Sequence, residues 1–106
     1  MADDTQIIVE VDGQVLARAT VSDVNEDGEA CAQVHVASGH LPVGTRQKVV
    51  DAVHEAVVEH DTTRLTAAVP CGDAELVEGL RNHLDHVELR AAGATSIIRG
   101  DVKPGP

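Results

Sequence analysis

The stretch AQVHVASGHLPVGTRQKVVDAVHEAVVE, residues 32–59, decides how the rest of the chain is arranged. Val34 and Val36 alternate with Gln33 and His35, the period of a strand with one apolar face, and Ser38-Gly39-His40 breaks it. Leu41-Pro42-Val43-Gly44-Thr45 then leads into a helix. Its apolar residues Val49, Val50, Val53, Ala56 and Val57 recur at helical spacing, with Gln47, Asp51, Glu55 and Glu59 outside. A strand that ends in a glycine-containing loop and feeds a helix directs several backbone N–H groups into one space. There the unpaired donors and the helix dipole favour negative charge. Arg46 and Lys48, in the first turn, oppose that dipole but suit a phosphate. Val43, Gly44, Thr45, Arg46 and Lys48 are therefore the candidate anion-binding residues.

Upstream, Thr5 to Val21 is a β-hairpin about Asp12-Gly13. A two-residue loop pairs Ile7 with Arg18 and Glu10 with Val15, mixing the faces. A three-residue loop over Val11-Asp12-Gly13 pairs Val9 with Val15 and Ile7 with Ala17, and this register is preferred because a slip of one residue flips every side chain. It leaves Ile8 and Leu16 adjacent on the more polar face, a pair for a helix or a partner subunit to cover. Ser22 to Glu29 is an acidic turn. Ala30 to Ala37 is the third strand, with Ala32, Val34 and Val36 inside and Cys31, Gln33 and His35 outside. Cys31 and His35 lie about 13 Å apart along an extended strand, too far to share a metal ion or a proton.

Downstream, Arg64 to Val69 is a short strand stopped by Pro70-Cys71-Gly72. Asp73 is an N-cap for a second helix whose inner stripe is Leu76, Val77, Leu80 and Leu84, with Gly79 weakening it. Val87 to Arg90 and Thr95 to Arg99 close the sheet as strands. The order predicts an α+β fold with a mixed sheet: an antiparallel β-meander followed by β-α-β-α-β crossover units, the helices crossing right-handedly. Ligands favour the carboxyl ends of strands in such sheets, where residues 38–45 lie. Residues 1–100 form one domain, and 101–106 are expected to be a disordered tail.

Composition narrows the function. Of the 106 residues 42% are hydrophobic, enough for a core, yet none is Phe, Trp or Tyr, so the core is aliphatic. A net charge of -10 without an aromatic platform argues against nucleic acid. No apolar run has the length of a membrane span, and the acidic Met1-Ala2-Asp3-Asp4 is unlike a leader peptide, so the reading is cytoplasmic. Cys31 and Cys71 read as reduced thiols. His83 and His86, three apart near a helix end, lack a third ligand nearby, and no metal is expected. His40 beside the anion loop is a candidate base, and Cys71 before a helix start a candidate reactive thiol, though neither has a visible catalytic partner.

The pattern resembles the later two-thirds of a GNAT-type N-acetyltransferase, in which a strand enters a pyrophosphate-binding loop and a helix, strand, helix and strand pair follow. The matching segments are Ala30–Val36, Leu41–Arg46, Arg64–Val69, and Leu80–Leu84 leading into Val87–Arg90. The resemblance implies that Gly44, Thr45 and Arg46 inherit contacts to the pyrophosphate of acetyl-CoA. The family's loop carries two small residues at its core where this chain has Val43-Gly44-Thr45, its frequent general acid is a Tyr, and its two N-terminal helices have no counterpart here. The chain thus resembles a reduced member. Two functions stand: a non-catalytic binding or assembly domain, homo-oligomeric or with a protein partner, and alternatively an acyl-CoA-dependent N-acetyltransferase binding coenzyme A across residues 36–46.

Overall fold

A computed structural model describes residues 4–22, 26–37 and 41–103. Residues 23–25 of the acidic turn and Ser38-Gly39-His40 lie outside the described residues. The expected order is observed. β1 (Thr5–Val11), β2 (Gln14–Val21) and β3 (Glu29–Val36) form the meander; α1 (Thr45–Glu59), β4 (Arg64–Pro70), α2 (Ala74–Arg81), β5 (Leu84–Ala92) and β6 (Thr95–Val102) follow. They build one six-stranded sheet in the order β1-β2-β3-β4-β6-β5, in which β3 and β4 are the parallel pair.

Alternation along each strand sends the small and branched residues to one side, and both helices pack there. Ala17, Ala19, Ala32, Val34, Leu65, Ala67, Val69 and Ile98 meet Val49, Val50, Val53 and Val57 of α1 and Leu76 and Leu80 of α2 in one core cluster. Without aromatic rings, close approach has to replace bulk. Gly79 shows how: a Cβ there would lie 3.1 Å from a Val50 methyl, so the missing side chain lets α2 press against α1. The helix-weakening glycine of the sequence is a packing residue.

Three expectations are corrected. The hairpin closes through a two-residue Asp12-Gly13 turn, both residues left-handed (φ 52° and 79°), the turn whose twist suits a hairpin. It pairs Val11 with Gln14 and Glu10 with Val15, and the register then shifts so that Val9 meets Ala17 and Ile7 meets Ala19. The shift makes Leu16 an extra residue, and at this bulge Leu16 and Ala17 are both buried. Leu16 is therefore not on the polar face, where Ile8 alone remains half exposed. Leu84, expected in the stripe of α2, starts β5 instead, because α2 ends at Arg81 and the His83 N–H turns back to Leu80 O at 3.0 Å. Residues 101–103, expected in a disordered tail, are ordered instead. Asp101 and Val102 belong to β6, and the Lys103 N–H donates to His83 O at 3.0 Å. Residues 104–106 lie outside the described residues.

Candidate functional site

The parallel pair does not run its full length. β3 and β4 are in register from Glu29 opposite Arg64 to Gln33 opposite Ala68, and there the pairing stops. The cause can be read from hydrogen-bond parity. Ser22 N–H donates to Cys31 O and Ala37 N–H to Leu16 O, so the odd residues of β3 bond to β2 and the even ones turn toward β4. On β4, the Cys71 N–H reaches Ala94 next to β6, so the even residues of β4 turn toward β3. Continuing the ladder past Ala68 requires an N–H from residue 70 to Val34 O. Residue 70 is proline and has none. Val34 O is left without that donor and faces a gap.

The gap is a cleft of about 350 Å³ lined by Gln33, Val34, His35, Ala68, Val69, Pro70, Ala94 and Thr95. That is within the range of small-molecule sites, roughly 300–1,000 Å³. Its lining alternates between Val34 and Val69, buried in the core, and Gln33 and His35, exposed on the other face. His35 also lines an adjoining hollow with Val15, Leu16 and Arg18.

The start of α1 sits at the same carboxyl end of the strands. Gly44 takes a left-handed conformation at its N-cap (φ 88°), for which glycine is suited, and no side chain caps the helix. Thr45 is buried, with its hydroxyl donating to Pro42 O at 2.8 Å. The N–H groups of Thr45 and Lys48 go to Pro42 O and Gly44 O. Those of Arg46 and Gln47 have no backbone acceptor among the described residues. Arg46 is placed differently from the sequence expectation: its Nε donates to both carboxylate oxygens of Asp73, at 3.0 and 2.9 Å. Asp73 in turn accepts from Leu76 N–H at 3.1 Å as the N-cap of α2. Arg46 thus ties the two helix starts together. Val43 and Lys48 are exposed beside it.

Other candidates fall away or change place. His83 lies in the turn after α2, stacked on His54 with centroids 4.0 Å apart, and donates to Asp51 at 3.3 Å. His86 sits in a bulge of β5 with φ 55° and donates from Nδ1 to Asp101 at 3.0 Å. That hydrogen bond, and then Arg64, hold the Asp101 carboxyl below its ordinary 3.8. In the 170 Å³ hollow around Arg64, His86, Glu88, Arg99 and Asp101, Arg64 and His86 are paired with Asp101 and Arg99 with Glu29, which leaves a ligand less to bind than the cleft does. Cys31 and Cys71 are free and exposed. Among the described residues no group of three or more His, Cys, Asp or Glu could hold a metal, and no helix is long and apolar enough to cross a membrane. His40 lies outside the described residues.

No family model matches the sequence, and no curated protein does. Solved structures do match, and they are GNAT acetyltransferases. A ribosomal-protein-alanine N-acetyltransferase from Brucella melitensis aligns with a TM-score of 0.64 at 16% identity, over 92% of this chain and 67% of that one. The ribosomal-protein-S18-alanine N-acetyltransferase from Escherichia coli aligns at 0.68 and 12%, over 97% and 72%. A GNAT superfamily phosphinothricin acetyltransferase from Sinorhizobium meliloti, in complex with AcCoA, aligns at 0.66 and 10%, over 96% and 66%. The fold is that of the GNAT acetyltransferases, and the chain spans about two-thirds of the length of these structures.

Proposed function

We propose that the chain binds an acyl-coenzyme A in the cleft between β3 and β4 and passes its acyl group to an amine. The observation that carries this reading is the unpaired strand edge opposite Pro70. Val34 O, deprived of the donor that residue 70 would supply, marks a short free stretch of β-edge, to which an amide of a pantetheine arm can donate as a strand would. The start of α1, uncapped and free of acidic residues in its first turn, is the place for the pyrophosphate, and Lys48 supplies an exposed cation there. Arg46 contributes through its backbone N–H and by fixing the two helix starts, since its Nε is held by Asp73.

The chemistry is acyl transfer. The amine nitrogen bonds to the thioester carbonyl carbon, the carbon–sulfur bond breaks, and the thiolate leaves with the proton that the amine gives up. Among the lining residues His35 carries the imidazole that can accept the amine proton, a role for which the side chain is well matched near neutral pH.

Thermal unfolding followed by circular dichroism, with and without acetyl-CoA, tests the binding. Saturation at 100 times the dissociation constant adds about 2.7 kcal/mol, a rise of about 10 °C or more for a domain this size. Lys48→Glu should lower the rise, while the melting point of the free protein holds or increases by a few degrees, since an acid suits the start of α1. Release of free coenzyme A thiol with a panel of amines tests transfer. No thermal shift overturns the proposal; a shift without thiol release reduces it to acyl-CoA binding alone, the non-catalytic reading.

A further inference from the structure

Both helices pack on one side of the sheet, and among the described residues no helix or strand packs over the other side. A solvated face is ordinary for antiparallel strands, whereas all-parallel sheets are covered on both faces, and here a parallel pair, β3–β4, lies at the centre of the open face. Cys31, Gln33, Thr66 and Ala68 lie uncovered at its middle.

The charge on this face is unlike that of the rest of the chain. Register places four arginines on it: Arg18, Arg64, Arg90 and Arg99. Against them stand five acids, Glu10, Glu29, Asp85, Glu88 and Asp101, so the face is close to neutral in a chain of -10. The helices carry Asp51, Glu55, Glu59, Glu75 and Glu78 toward the opposite side. Arg64 and Arg99 are already paired with Glu29 and Asp101 at 3.2 to 3.4 Å, so covering them does not strand a lone charge.

The area is sufficient. Strands of about eight residues at about 3.3 Å each, six across at about 4.8 Å, give about 760 Å² in projection. A stable protein interface takes about 800 Å² per partner, which side-chain relief supplies. A partner for a near-neutral face of this size, on a molecule otherwise strongly acidic, is best another face of the same kind. Face-to-face pairing also sends both acidic helical layers outward, as far apart as the molecule allows.

We propose that the open sheet face is a self-association surface, closed by the same face of a second copy. The inference stands on the sheet and is independent of what the cleft binds. In the dimer, the mouth of the cleft at His35 becomes a space between two copies.

Sedimentation velocity across a concentration series is expected to show twice the chain mass at the upper end. Cys31 provides a local reporter, because it lies in the middle of the face whereas Cys71, at the end of β4, does not pair within it. Thiol labelling of Cys31 should slow about tenfold once nine-tenths of the chain is dimeric, with Cys71 unchanged. Thr66→Arg and Ile97→Arg, each with its circular dichroism spectrum checked, should return the chain to monomer, and Glu55→Arg on the helical side should not. A monomer at every concentration overturns the proposal. So does a dimer in which Cys31 labels as fast as in the monomer, since that interface lies elsewhere; this reading needs no variant to fold.

Discussion

Replacing Pro70 by alanine restores the N–H whose absence opens the cleft, and the consequences can be worked out. The new donor faces Val34 O in the parity of the β3–β4 ladder, so one further hydrogen bond forms and the strands close over it. A net intramolecular bond is worth about 0.5–1.5 kcal/mol. Losing proline frees the unfolded chain and costs about 0.4–1 kcal/mol. The two nearly cancel, so the melting point should move by only a few degrees. Binding is different, because a ligand entering the cleft must break the new bond. An affinity loss of about 1 kcal/mol is about fivefold in the dissociation constant. Calorimetric titration with acetyl-CoA reads that loss, and hydrogen exchange reads the amide of residue 70. If that amide exchanges freely, proline is not what parts the strands. If it is protected and the affinity is unchanged, the cleft is not where acyl-CoA binds.

Asp73→Ala removes both the N-cap of α2 and the partner of Arg46, and should cost about 2 kcal/mol, a fall of about 10 °C by circular dichroism. Asp73→Asn keeps the cap and should cost about half as much; a melting point equal to the parent's for both variants contradicts the bracket. Gly100→Ala places a Cβ 2.9 Å from the backbone oxygen of Asp85 and 3.0 Å from Leu84 Cβ, so β5 or β6 must shift, at about 1–3 kcal/mol. An unchanged denaturant midpoint would rule that crowding out. Asp101 is held below its ordinary value of 3.8 by His86 and Arg64, so the stability it contributes is present above that value and disappears as pH falls through the lowered one. Asp101→Asn should flatten the acid limb of the pH–stability curve below about pH 4, and superimposable limbs would show that these pairings add nothing.

Local signals were legible and long-range ones were not. The stripe Val49, Val50, Val53, Ala56 and Val57 is buried as its period required, and Asp73 caps α2 as its residue type suggested. The strand–helix order led to the GNAT-like arrangement because right-handed crossovers leave few alternatives. The bulge at Leu16 was missed because Asp12-Gly13 and the hydrophobic alternation call for different registers, and only an extra residue satisfies both. Gly44 and Thr45 lie at the start of α1, as the loop–helix junction in the sequence suggested. Arg46 could not be assigned, since its partner Asp73 is 27 residues away. The cleft was hidden for a related reason: Pro70 was visible as a strand stop, but which neighbour it deprives of a bond depends on registers that no single segment encodes.

The strand order also has a bearing on biosynthesis. β6 lies between β4 and β5, so β5 reaches the sheet through β6 and, among the described residues, has no other strand beside it. Until residues 95–102 leave the ribosome, the nascent chain holds β4 with a bare inner edge and β5 with nothing to join. Chaperones that shield such edges have their window here, and a ribosome stalled before residue 95 would carry an open sheet that cannot close.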